Sequence, residues 1–594
     1  MSLIRSTRHT WLSIFAATTL AICAPAWAKR PNIVVLLADD WGYSDVGAFG
    51  SEIHTPHLNQ LAQSGTRFSN FHVSASCSPT RSMLLTGVDN HLNGVGNMRE
   101  TIPQSHVGRA GYLSVLNQRV VTVASLLQDH GYRTYAAGKW HVGKEPHNLP
   151  PARGFDRSLV MGDSGSDNWE TGKLYLDLTD KVYWYDNGRE AQMPKTFYSS
   201  EFYVSKTLDY LKTDAKSDKP FFAYLAFQAN HIPLQAPQEF IDKYKGRYNA
   251  GWDVLRQERR NKAIELGLVP PNTPMAALPA THVAWESLSP QDKAYQARRM
   301  EVYAAMAEAM DFHIGRLMAH LKQTGEYDNT VFVFMSDNGA EASDPYALAV
   351  GRWWLDQHYN RDIDRLGSPG AYSIIGPNWA RAATAPLNTY KFFAGEGGIR
   401  VPLIISGISG IPAARKQSVQ NSLTHVSDIV PTLLDLAGVQ HPGTSYKSQT
   451  IYPLTGHSLL PIIQGKATRV RGPDEVLGYE LSGNRAVFKG DYKLLSNLAP
   501  VGDGQWHLYN IATDPGETRD LKDDMPELFQ SLQNDYAKWA KANGVLPMPE
   551  GYDPIQQVII NSLVFVYWPR YQWHLAGLGV LLLLSGVWLW RRRR

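Results

Sequence analysis

Several short stretches of this chain carry residue types suited to chemistry on an anion. They are Asp39-Asp40, Cys77-Ser78-Pro79-Thr80-Arg81, Gly138-Lys139-Trp140-His141, Gln228-Ala229-Asn230-His231 and Asp337-Asn338, with Lys391 standing shortly before Gly397-Gly398-Ile399-Arg400. Asp39, Asp40, Asp337 and the amide oxygen of Asn338 would form an all-oxygen donor set if the chain brought them together. Such a set suits a hard divalent ion, Ca²⁺ or Mg²⁺, rather than zinc, which prefers His or Cys. Either acidic pair alone is commonly a loop turn or a helix cap; both at the ends of buried strands point to a metal. Cys77 opens a stretch, continuing through Ser82-Met83-Leu84-Leu85-Thr86-Gly87, that reads as a helix. The amides of that helix start, with Arg81, offer positive potential to an anionic group. Without such a role, a lone cysteine there is a small packing residue.

The elements that must position these residues are apolar runs at 33–38, 134–137, 221–227 and 331–335, each ending abruptly in one of the polar clusters. Runs of this length and apolarity predict strands buried on both faces of a parallel sheet. Helical patterns at 120–130 and 299–324 lie between them, which gives the alternation of an α/β domain. Open parallel sheets collect ligands outside the carboxyl ends of their strands, so the four clusters converge on one rim. From about Gly472 the texture changes to short strands at 485–489, 492–496 and 506–509, then a helix near 526–543. This predicts a small antiparallel α+β subdomain.

At 594 residues the chain exceeds what one hydrophobic core sustains. We expect a main domain over 29–471, the α+β subdomain over 472–545 and a linker over 546–574. Arg5 and Arg8, an apolar run at 11–22 and Ala26-Trp27-Ala28 form a secretory signal peptide, residues 1–28. Its removal takes away Cys23 and leaves Cys77 as the one cysteine, which is ordinary for a bacterial periplasmic protein. Residues 575–590 are continuously apolar apart from Gly and Ser, follow Trp573, and end in four arginines, 591–594. They predict a transmembrane helix with a cytoplasmic basic tail and the body of the protein on the periplasmic face of the inner membrane. A second apolar run, 558–568, is too short to span and is expected to lie on the membrane or pack on the domain. The formal charge of +3 owes to the terminal arginines; without them the body is slightly acidic, which excludes a nucleic-acid footprint.

The pattern C-x-P-x-R followed by an apolar helix and Thr-Gly, with the distal Gly138-Lys139-Trp140-His141, resembles the signature of the type I sulfatases of the alkaline phosphatase superfamily, particularly bacterial arylsulfatases. The resemblance extends over 32–42, 132–143, 153–156, 300–341, 391–402 and 425–439. It implies a large mixed, mostly parallel sheet flanked by helices. It implies that a maturing enzyme converts Cys77 to formylglycine, and that Asp39, Asp40, Asp337 and Asn338 ligate calcium, with magnesium an alternative, beside residue 77. Lys139 and His141 match the family's pair near the formylglycine, His141 as the base that drives sulfate release. His231 matches the histidine that contacts sulfate and the leaving oxygen, and Lys391 the lysine beside it. The substrate implied is a small-molecule or glycan sulfate ester.

Other readings stay open at this level. Relatives with the same signature cleave phosphate or phosphonate esters, a silent protein with this frame would bind sulfated glycans, and an unmodified Cys77 would make a cysteine hydrolase. The loops 252–284 and 342–385 are expected to build the pocket, with Trp353, Trp354 and Trp379 as a possible aromatic wall.

Overall fold

The computed structural model describes residues 29–412 and 415–593; the expected signal peptide lies outside them. A ten-stranded sheet organises the main domain. Its central five strands, Thr330–Ser336, Asn32–Ala38, Phe221–Ala226, Arg133–Lys139 and Arg157–Met161, lie side by side in that order and run parallel. The four apolar runs that end in chemistry are thus adjacent strands. Antiparallel strands flank them, Leu403–Ser406 on one side and Trp184–Asp186 on the other, so the sheet is mixed.

Both faces of the central strands are covered, which is why these segments lack polar alternation. Val34 and Leu36 face a core completed by Met306, Met310 and Leu317 of the long helix Pro290–Gln323. Ile33, Val35 and Leu37 face the opposite core, with Met83, Leu84 and Leu85 of the Cys77–Thr86 helix. That helix begins after Ser76, which is extended, and ends at Gly87, whose left-handed backbone (φ 68°) returns its N–H to the Met83 carbonyl.

The C-terminal sheet is an antiparallel meander of Val476–Leu481, Asn484–Lys489, Tyr492–Ser496 and His507–Asn510. The first of these strands escaped the sequence pattern because Gly478 and Glu480 interrupt it; Gly478 leaves room for the Trp539 ring, which a Cβ would meet at 2.0 Å. Helix Pro526–Asn543 packs Leu532 on one face against Val487, Leu494 and Leu508. The other face docks on the main domain through Ala75, Ile399 and Tyr479.

The apolar C-terminal run belongs to a longer helix than the sequence suggested. Pro554–Arg592 is helical throughout its 39 residues, with a wider turn at Leu563–Tyr567. Asp553 starts it, its carboxylate accepting the N–H groups of Ile555 and Gln556, with Pro554 at the first helical position. Pro569 lacks the donor that would reach back one turn, and the wider turn lies where that bond is missing.

One buried pair joins the short helix Asn90–Asn93 of the main domain to the C-terminal sheet. His91 Nε2 lies 2.8 Å from Glu480, and its Nδ1 lies 3.6 Å from Asp89. Burial opposes charge on the ring, but these acidic neighbours outweigh it and raise His91 from 6.5 to about 9. The folded chain therefore keeps this proton to a higher pH than the unfolded one. The pair's contribution is complete below about pH 6.5 and is lost as pH rises through about 9, by on the order of 3 kcal/mol. Urea midpoints measured between pH 6 and 9.5 should fall with pH, and His91→Gln should flatten that slope.

Candidate active site

Strand register sets the site. Ala38 pairs with Ser336, Leu37 with Ala226, and Ala226 with Gly138, so residues 39–40, 337–338, 227–231 and 139–141 leave the sheet along one rim. Gly138 is required there, because a Cβ would sit 1.9 Å from the Ala226 carbonyl oxygen. Immediately beyond their strands Asp40 and His141 take left-handed backbone, with φ of 63° and 57°. Such conformations cost about 1 kcal/mol or more for residues with a Cβ, and they persist where surroundings enforce them. Asp40 there turns its carboxylate into the site, and His141 stands within electrostatic reach of Lys139, Arg81 and His231.

The sequence-predicted residues meet in one buried cluster. Cys77 Sγ lies 3.4 Å from an Asp39 oxygen and 3.9 Å from Asp40 Oδ1. Lys139 Nζ donates to Asp39 Oδ2 at 2.7 Å. Arg81 donates to Asp337 Oδ2 from both Nε (2.9 Å) and Nη2 (2.6 Å), and to the Lys139 carbonyl at 2.9 Å. Asp40 Oδ1 accepts from Asn338 Nδ2 at 2.6 Å and pairs with Lys391 Nζ at 2.7 Å. His231 Nε2 stands 4.0 Å from Asp40 Oδ2, and its Nδ1 lies 2.7 Å from the Ile232 carbonyl, to which it donates.

Two buried oxygens in this cluster have no hydrogen-bond partner: Asp40 Oδ2 and Asn338 Oδ1. Asp39, Asp40, Cys77 and Asp337 bring their ligand atoms within 4.8 Å of one another, close enough to share one ion. The charges agree. Burial, with Asp337 beside it, raises Asp39 to about 8 despite Lys139 and Arg81. Were all four acids, Asp39, Asp40, Asp337 and Glu341, ionised, they would exceed the cations Arg81, Lys139 and Lys391 by one charge, a deficit that a bound cation would offset. A hard divalent cation held by the four predicted oxygens fits both the unpartnered atoms and the deficit.

Burial, then Lys139, Arg81 and His231, hold His141 well below its ordinary range, so its imidazole is neutral at pH 7. Burial with Lys139 and Lys391 does the same to His231. Lys391 goes the other way: burial opposes its charge, but Asp40 and Glu341 hold it well above the usual lysine range.

Sequence reasoning missed Glu341 and Tyr175. Glu341 pairs with Lys391 at 2.8 Å, and Tyr175 lays its ring edge-on to His231 with centroids 5.1 Å apart. Both sit in irregular loops without periodicity; the one signal for Glu341 is its place four residues after Asp337. The tryptophans do not form a common wall. Trp379 is fully buried among Trp252, Trp285 and Tyr248, while Trp353 is 65% exposed.

An α/β sheet whose strand ends gather acids that fit a metal, a buried thiol and several cations defines a hydrolase of anionic esters. The sulfatase family model matches residues 31–439. An uncharacterized sulfatase of Schizosaccharomyces pombe is 39% identical over 552 residues, covering 90% of this chain and 97% of the relative. The arylsulfatase of Klebsiella aerogenes is 37% identical over 458 residues, covering 76% and 96%. Among solved structures, Ps i-CgsB shares the fold with a TM-score of 0.61 at 23% identity, over 91% of this chain and 99% of that one. The chain belongs to the sulfatase family, and its relatives support sulfate-ester hydrolysis.

If the oxygen cluster holds a cation, calcium in excess should raise the thermal midpoint and EDTA should reverse the gain, since a ligand at 100 times its Kd stabilises by about 2.7 kcal/mol. Asn338→Ala removes one donor oxygen and should weaken calcium binding by roughly 10- to 100-fold in calorimetric titration.

Proposed function

We propose that the protein hydrolyses sulfate esters of the aryl type, using residue 77 as nucleophile after Cys77 has been converted to formylglycine, beside a bound Ca²⁺ ion. The observation that carries this reading is the place of the Cys77 sulfur, within 4 Å of Asp39 and Asp40 inside the acidic cluster. An unmodified thiol serves poorly there: burial and the Asp337 and Asp39 carboxylates push its pKa well above the usual range, so it stays protonated. Conversion must also precede folding, because the folded chain buries Cys77 completely within a helix.

Asp39, Asp40, Asp337 and Asn338 would hold the cation, which supplies positive charge for the ester oxygens; hydrated formylglycine supplies two hydroxyls where serine has one. Lys139, Lys391 and Arg81 offset the ester anion and the charge that passes to the leaving oxygen. His231 presents Nε2 to the site while the Ile232 carbonyl fixes its other nitrogen, which orients the ring toward that oxygen. His141 is the base for the second hydroxyl, whose deprotonation releases sulfate. Its neutral imidazole is ready to accept that proton. Lys139 and Arg81 also position carboxylates of the set, Asp39 and Asp337 respectively.

The helix Pro554–Arg592 acts as the membrane anchor in this reading. The catalytic domain then lies on the periplasmic face and the terminal arginines in the cytoplasm.

Mass spectrometry of the Cys77 peptide from the native host tests the nucleophile. Conversion exchanges one sulfur and two hydrogens for one oxygen, and an intact cysteine contradicts the proposal. Matured protein should turn over aryl sulfates faster than aryl phosphates or phosphonates, and the opposite order would reassign the substrate. His141→Ala should lower kcat by about 10²- to 10⁴-fold with little change in KM.

A further inference from the structure

The long C-terminal helix is fastened to two segments that border the site. The first is 98–102. Met98 contacts the Ser76 hydroxyl, next to Cys77, and Glu100 is close enough for Lys391 and Lys139 to act on its carboxyl. The second is 175–179, where Tyr175 packs on His231.

Asn561 fastens the first segment. Its amide donates to the carbonyls of Arg99 (3.1 Å), Glu100 (2.9 Å) and Ile102 (2.9 Å), while its oxygen accepts from Gln104 and Gln557, both at 3.0 Å. Asn561 is 2% exposed, so these bonds sit in a dry contact. Arg99 lies over the Phe565 ring, 4.7 Å from its centroid. Arg570 fastens the second segment, with Nη1 at 2.9 Å from Asp177 and Nη2 donating to the Thr179 carbonyl at 3.1 Å.

The rest of this helix surface is apolar and open. Ile559, Ile560, Leu563 and Val564 are 42 to 55% exposed, Trp568 60% and Trp573 79%. An exposed apolar surface of this kind, continuous with a helix long enough to cross a bilayer, is matched by lipid. At a helical rise of about 1.5 Å per residue, Phe565 and Arg570 lie roughly 15 and 8 Å along the axis from Leu575, where the continuous apolar run begins. The Asn561 bonds lie roughly 21 Å along the same axis, so both borders of the site are tied within about that distance of the start of that run.

We infer that the juxtamembrane helix holds the mouth of the site against the bilayer, so that the substrate is a sulfate ester carried on a membrane-resident amphiphile. This rests on the sulfatase and membrane readings above. It deepens them by naming the substrate class: an aryl or alkyl sulfate headgroup on a long apolar body. A headgroup in the interface needs to rise only a short way to reach Lys391 and His231, while its apolar body stays in lipid. A freely soluble ester gains nothing from this placement.

The test uses the full, matured chain in vesicles of phosphatidylethanolamine and phosphatidylglycerol. Two substrates share one leaving group: 4-methylphenyl sulfate, which is soluble, and 4-hexadecylphenyl sulfate, which partitions into the vesicle. The inference predicts a kcat/KM at least 10-fold higher for the hexadecyl ester. Asn561→Ala with Arg570→Ala should lose most of that preference and keep turnover of the methyl ester within about threefold. A preference below twofold in the unsubstituted protein overturns the inference whatever the double variant does. A preference that survives in an active double variant overturns the role of the clasp. If neither ester is cleaved by protein with verified formylglycine, the sulfatase reading itself fails.

Discussion

Asp39, Asp40, Asp337 and Glu341 bring four carboxyl groups into a volume that water scarcely reaches, and Arg81, Lys139 and Lys391 come from three other segments to meet them. Burying an ion costs several kcal/mol unless partners compensate, so no member of this set can be placed independently of the rest. The sheet meets that constraint by ending four adjacent strands at one level. The Cys77–Thr86 helix meets it by turning Arg81 back onto Asp337 beneath its own first turn. The charge still left over, with two unpartnered oxygens, is what gives a cation a place there.

The C-terminal sheet supports the same cluster from outside. The Tyr479 hydroxyl accepts the Ala75 N–H at 2.9 Å, two residues before Cys77. Lys493 reaches from the meander to Glu396 of the main domain at 2.8 Å and pairs with Glu517 of its own subdomain at 2.7 Å. Glu396 opens the short helix that follows Lys391 and also meets His72 and Arg400. The meander thus fixes the segments that carry Cys77 and Lys391. A buried ionic joint of this kind specifies one docking geometry more than it adds stability.

How much of this was legible in the sequence depended on periodicity. The strands before Asp39, Lys139, His231 and Asp337 stood out because burial on both faces leaves uninterrupted apolar runs, and the site residues follow those runs directly. Glu341 and Tyr175 were hidden because loops carry no period. Trp379 looked like a pocket residue because the segment 342–385 reads as a loop, whereas Trp379 stands in the helix Gly376–Ala383 and faces inward. The helix from Pro554 reads as a linker in sequence because its apolar run, 558–568, is too short to span a membrane. The run 558–568 packs on the domain, one of the two places expected for it, through the buried Asn561 and Gln557. Polar residues inside an apolar helix signalled a contact, which only the fold could supply.

The account stands or falls on what occupies the space between residue 77 and the acidic cluster. A crystal structure of protein purified from its native host, at a resolution that separates oxygen from sulfur, addresses this directly. It should show residue 77 without sulfur density, and one ion bound by Asp39, Asp40, Asp337 and Asn338 oxygens at about 2.3 to 2.6 Å. An intact cysteine sulfur with no ion among those oxygens would contradict the account.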